Sequence, residues 1–273
     1  MRPRIWVIRW LRWIVRQQIP ISTEHKLPGK ASFVDAGDKN QDGITGKANY
    51  VYNPFTGQTE LGRFGLKANT SSLLVQVATA YQQDMGITSY VQPQESAYSQ
   101  SQMNSVHVDI NPEVPDSILN AVTFYARTLA VPARRNFSDR DAQQGAILFN
   151  QINCSRCHRP TIQTGINLSL SQLNNQRIHP YTDLLLHDMG DGLADNRPDY
   201  LANGREWRTQ PLWGVGLLQK TMGVAYYLHD GRARSIEEAI LWHDGEAKNS
   251  KDEFMQLTRT ERAQLLNFLN SLW

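Results

Sequence analysis

Cys154 and Cys157 stand three positions apart and are followed at once by His158, in the run Cys154-Ser155-Arg156-Cys157-His158. Two thiols on one turn can each add to a vinyl group to form a thioether, and the next imidazole then reaches a metal from the same side. C-x-x-C-H is the pattern by which a polypeptide captures haem c. These are the two cysteines of the chain, so the rival readings are quickly weighed. A disulfide between such near neighbours is strained and closes almost no loop. A zinc site needs two more good ligands nearby, and a thioredoxin-like pair belongs after a strand in a βαβ pattern that the sequence lacks. Covalent haem c, one group per chain, is the expectation.

A haem iron in a closed site takes a second axial ligand, His or Met, whereas an open position binds a small molecule such as peroxide. His179, His187, Met189, Met222, His229 and His243 all follow the motif, and periodicity favours none of them. His243 has one local advantage, since it ends a capped amphipathic segment beside Trp242, where a ring nitrogen can be held rigidly. Trp207 and Trp213 are read as packing against the cofactor in preference to carrying electrons.

The elements that must position these residues are partly legible. Residues 71–85 place Leu73, Leu74, Val77, Ala78 and Tyr81 at helical spacing and close on Gly86. Residues 116–131 form a second helix, with Ile118, Leu119, Val122, Tyr125, Ala126 and Leu129 on its apolar face and Pro132 as its stop. Ser138 and Asp139 cap a helix over 142–150 that delivers Cys154. Ser235-x-x-Glu238 opens a helix running to His243, and Thr258-x-x-Glu261 opens the last, over 263–272. Residues 20–70 read as loop with short strands, and 159–231 as irregular chain wrapped around a flat cofactor. The fold class expected is mostly α: a cytochrome c-like helical domain with long haem-wrapping loops, plus an irregular amino-terminal segment. Its expected divisions are 1–19, a basic amphipathic segment; 20–132, a partial interdomain or amino-terminal region with loop and two helices; and 133–273, the cytochrome c domain.

A net charge of +2 over 273 residues says little about partners, and without a basic stripe bearing interleaved aromatics nucleic acid is not expected. The basic character gathers at the amino terminus, where Arg2, Arg9, Arg12 and Arg16 share one helical side and Trp6, Val7, Trp10, Leu11, Trp13 and Ile14 the other. Residues 1–16 thus suit contact with a membrane surface or, as the preferred reading, a helix docked on a missing half of the protein. The apolar run is too broken by Arg9 and Arg12 for a secretory signal and too short to span a bilayer. Because haem c is assembled in oxidising, extracytoplasmic compartments, a periplasmic location is expected. The lack of a visible signal peptide then suggests a chain whose true start lies upstream.

Four segments carry a family resemblance: Gly62-Arg63-Phe64-Gly65-Leu66-Lys67-Ala68, the run from Pro180 through His187-Asp188-Met189-Gly190, Gly204-Arg205-Glu206-Trp207-Arg208-Thr209, and Leu228-His229-Asp230-Gly231-Arg232. Together they resemble the dihaem oxidoreductase, or thiol oxidoreductase-like, family, which is related to the bacterial dihaem cytochrome c peroxidases. The resemblance covers about residue 35 to the carboxyl end. Family members have two C-x-x-C-H motifs and this chain has one, so the resemblance implies the carboxyl-terminal, electron-transfer haem, with an upstream haem domain missing. It further implies that Glu238-Ala239-Ile240-Leu241-Trp242-His243 stands where the related peroxidases place an axial Met. His158 and His243 are therefore the expected axial pair, with His187 and Met189 in reserve and His229 expected to bond Asp230 or a propionate.

The function expected is that of a covalently bound haem c electron-transfer domain passing single electrons to a redox partner protein or small carrier. The alternatives are a self-sufficient single-haem peroxidase with an open distal site, in which His187 or His229 does acid-base work, and a non-catalytic membrane-associated haem module. Asp38-x-Asn40-x-Asp42-Gly43 matches half of an EF-hand-type loop, but its twelfth position is Asn49. Calcium and an ordinary Asx-rich turn are both open readings of it.

Overall fold

Short range capping sets the helices in the computed structural model, which describes residues 38–39, 41–94, 111–166 and 170–272. Ser72 accepts from the Val75 amide to start α1, Leu73–Met85, and Gly86, at φ 71°, ends it. Helix α2, Asp116–Thr128, stops three residues before the sequence suggests, with Leu129 already extended. It also buries less than expected: Leu119 and Ala126 face the core, while Ile118 and Tyr125 are exposed. Asp139 caps α3, Arg140–Gln151, by accepting from the Asp141 and Ala142 amides. After the short α4, Leu218–Met222, Ser235 caps α5, Ile236–Leu241, and α6, Lys248–Gln256, leads to α7, Arg259–Ser271. At the start of α7 Thr258 and Glu261 form a complete capping box.

The mostly helical expectation is corrected. Of the described residues 40% are helical and 12% in strands, with seven helices and small sheets, which is a mixed architecture. Three antiparallel two-stranded sheets pair β1, Tyr50–Asn53, with β2, Gln58–Leu61; β3, Ile162–Gln163, with β4, Arg177–Ile178; and β5, Leu186–Asp188, with β6, Glu206–Arg208. Strands of two to four residues are too short to show a period of two, and β5 meets β6 across an intervening loop, with His187 opposite Trp207. The chain read as irregular therefore hides paired backbone.

Helices α3 and α7 cross at Gly145, where a Cβ would lie 2.0 Å from the Gln264 carbonyl oxygen. That approach lets Phe149, Phe254, Leu265, Phe268, Leu269 and Leu272 close one core directly behind the C-x-x-C-H turn. A second core joins α1 to α2 through Val75, Ala78, Val91 and Leu119. A third gathers Leu218, Ala225, Tyr227 and Ala233 beside α5. Among the described residues no helix is long and apolar enough to cross a membrane. The basic segment 1–19 lies outside the described residues.

Candidate functional site

Between these cores opens a cavity of about 1800 Å³, well above the roughly 300–1,000 Å³ of an ordinary small-ligand pocket. Cys154, Cys157, His158 and His243 all line it, as do Met189, Trp207, Trp213, Met222 and His229. The two cysteines are free thiols, placed by a 3-10 turn, Cys154–Arg156, that follows α3 through Asn153 at φ 64°. Burial pushes the Cys154 thiol up to about 12 and also raises that of Cys157.

The His158 Nδ1 lies 3.0 Å from the Tyr181 carbonyl oxygen, and the His243 Nδ1 lies 2.7 Å from that of Ala239. A carbonyl only accepts, so each Nδ1 carries its hydrogen and each Nε2 keeps a lone pair. Tyr181 holds φ 54°, a left-handed conformation uncommon for a bulky residue, and that twist belongs to the peptide whose oxygen orients His158. The two rings are 6.5 Å apart between centroids and inclined by 48°. Two imidazoles on opposite sides of one metal, at about 2 Å per metal–nitrogen bond, put their centroids roughly 6 Å apart. Burial, and then the neighbouring His243, hold His158 down at about 4, and burial lowers His243 as well. Both rings are thus neutral at neutral pH, the form that donates to iron. With two free thiols on the same wall, the residues present fit a haem held between His158 and His243.

His187 is differently occupied. It is 3% exposed, its Nε2 lies 2.9 Å from Asp183 Oδ2 and its Nδ1 2.7 Å from Glu246 Oε2. Burial opposes a charge on this ring, but the hydrogen bonds to Asp183, Cys157 and Glu246 keep it protonated well above 6.5. With both nitrogens engaged by carboxylates it has no lone pair for iron and none for acid-base work on a substrate. Burial works against the Glu246 charge too, yet His187 and Thr45 hold its carboxyl down to about 2.

The remaining candidates are dispersed around the cavity or beyond it. His229 stacks flat on Trp207, 3.6 Å between centroids at 14°, and its Nε2 is 3.9 Å from Asp230 Oδ2, too far for the expected hydrogen bond. Trp207 donates to the Leu193 carbonyl and Trp213 to that of His179, so each indole that lines the cavity is fixed by its N–H. His179 is bonded to Thr161 instead.

In the half EF-hand segment the carboxylates of Asp38 and Asp42 are taken up by protein groups. Asp38 accepts from the Asp42 and Gly43 amides, and Asp42 accepts from Ile44 and pairs with Arg156. Asn49 points inward, bonded to Lys67, Asp199 and Leu201. Asn40 lies outside the described residues, and no group of three or more potential ligands among the described ones could hold a metal ion. The Asx-turn reading accounts for these contacts.

Reasoning from the sequence alone missed Asp183, Glu246, Thr45 and the carbonyls of Tyr181 and Ala239. Only Asp183 left a signal, standing four residues before His187 inside one of the resembling segments.

A protein-family model described as "Di-haem oxidoreductase, putative peroxidase" matches residues 28–272. No curated protein and no solved structure is similar enough to match. The match takes in all four resembling segments together with the cavity, its two thiols and its facing imidazoles, and on it the chain belongs to the di-haem oxidoreductase family.

Proposed function

We propose that this chain holds one covalent haem c through Cys154 and Cys157, with His158 and His243 as axial ligands, and passes single electrons to a redox partner protein or small carrier. The observation that carries the reading is the pair of neutral imidazoles, 6.5 Å apart, each fixed by a backbone carbonyl at Nδ1. The bound haem supplies one-electron redox chemistry. The protein's part is to hold both ligand rings rigid, so that little reorganises when the charge changes, and to keep the site apolar through Phe149, Leu212, Val215, Leu265 and Leu269, which line it. Two imidazoles lack the preference of a thioether for ferrous iron, which favours a lower potential than a His/Met pair. Covalent haem c also implies assembly and residence in an extracytoplasmic compartment, the periplasm in a Gram-negative cell.

The experiment is an optical spectrum of the chain matured with a haem c assembly system, ferric and ferrous, beside His243→Ala. A low-spin wild type that turns high-spin on substitution supports the relay. A wild type already high-spin overturns it in favour of an open iron and a peroxidase, for which peroxide turnover by the isolated chain is the next assay.

A further inference from the structure

Three stretches distant in sequence converge on the buried His187 ring. Asp183 and His187 bracket the start of β5, and Glu246 follows His243 by three residues in a short 3-10 turn, Gly245–Ala247. Thr45 comes from the amino-terminal side. Glu246 takes four donors: His187 Nδ1 and the Thr45 amide on Oε2, and the Thr45 hydroxyl and Asp188 amide on Oε1. The Cys157 sulfur lies 3.7 Å from the same His187 Nδ1. The backbone is clasped as closely as the side chains. A Cβ on Gly245 would lie 2.3 Å from the Asp188 carbonyl oxygen, and one on Gly46 3.2 Å from His187 Cε1. Residues 41–47 run across this array as a strap, pairing Asp42 with Arg156 inside the C-x-x-C-H turn and bridging Lys47 to Leu186.

We infer that Glu246, seated on His187 and Thr45, is a positioning residue for the distal ligand, locking the His243 turn to the wall that carries Cys157. The inference rests on the His158/His243 reading and adds to it the device that keeps His243 in place. Ala239 aims the ring from one side of His243, through α5, and Glu246 anchors the chain on the other. Without the second anchor the turn can swing on Trp242 and Asp244, and the Nε2 loses its fixed distance from His158.

The test compares haem-loaded wild type, Glu246→Ala, Glu246→Gln and Thr45→Val. In Glu246→Ala part of the low-spin spectrum should become high-spin, in the same direction as His243→Ala but less completely, and added imidazole should restore it. Glu246→Gln, which keeps the shape and part of the bonding, should recover most of the low-spin form. Thr45→Val, a mild change should Glu246→Ala fail to mature, should bind added imidazole faster than wild type while keeping its spectrum. In the haem-free chain, amide exchange over residues 243–247 should rise for Glu246→Ala. Wild-type spectra and imidazole rates in all three variants, with only the thermal midpoint lowered, would overturn the inference. A wild type that is high-spin, or is unchanged by His243→Ala, would instead overturn the axial pair on which it rests.

Discussion

At the scale of single residues, the site divides into groups kept neutral and groups kept charged, a few ångströms apart. His158 and His243 are neutral because burial disfavours their charge, whereas His187, more deeply buried still, is charged because two carboxylates flank it. The second arrangement has a defined pH dependence. Glu246, held down from 4.5 to about 2, contributes stability that is fully present above 4.5 and is lost as pH falls from there through about 2. His187, held above 6.5, contributes stability that is complete below 6.5 and is lost as pH rises through its raised value. The difference in urea midpoint between wild type and Glu246→Gln should therefore be greatest from pH 4.5 to 6.5 and shrink on both sides. The thiols make a separate prediction. Haem should remain on the chain after denaturation in wild type and in either single Cys→Ser variant, and be released from the Cys154→Ser, Cys157→Ser double variant, as read by haem staining of a denaturing gel. The C-x-x-C-H turn was legible because its chemistry is local. The Asp183–His187–Glu246 array was not, because Leu184, at φ 64°, breaks any helical register between the first two and the third is brought in by tertiary packing.

Among the elements, the helices carried readable signals, and β1 and β2 fall where short strands were expected within 20–70, but the strands after residue 159 went unread. Capping by Ser72, Asp139, Ser235 and Thr258 lies where hydroxyl and carboxylate residues precede apolar periodicity. The strands β5 and β6 have three residues each, and their partner lies across a long loop, so no short-range pattern could announce them. The crossing of α3 and α7 gives a sharp test. In an exposed helix a Gly→Ala change gains about 1 kcal/mol, but at Gly145 the added methyl meets the backbone of Gln264, which no rotamer can move aside. Overpacking of this kind costs about 1–3 kcal/mol, so Gly145→Ala should lower the thermal midpoint by several degrees. A raised midpoint would mean that α7 yields more freely than its packing on Phe149 and Phe268 implies.

For the whole molecule, the cavity decides how stability is shared between chain and cofactor. The three cores face a space of about 1800 Å³ lined in good part by apolar side chains, so a group filling it contributes contacts that the chain cannot make with itself. Calorimetry of the haem-loaded protein should give a clearly higher midpoint than the Cys154→Ser, Cys157→Ser variant stripped of haem, and equal midpoints would show that the cores stand alone. The strap over residues 41–47 also bears on the order in which the emerging chain closes on itself. A chain emerges amino terminus first, from the ribosome or across a membrane, so Asp42 and Thr45 arrive before their partners, which lie 114 and 201 positions downstream at Arg156 and Glu246. Closing loops of these two lengths differs by only about 0.5 kcal/mol of entropy, so arrival of the partner, not loop length, sets the sequence of docking. In vectorial emergence the strap is expected to latch first beside the C-x-x-C-H turn, then at Leu186, and last at Glu246, so that the side of the pocket next to His243 stays open until Glu246 has arrived.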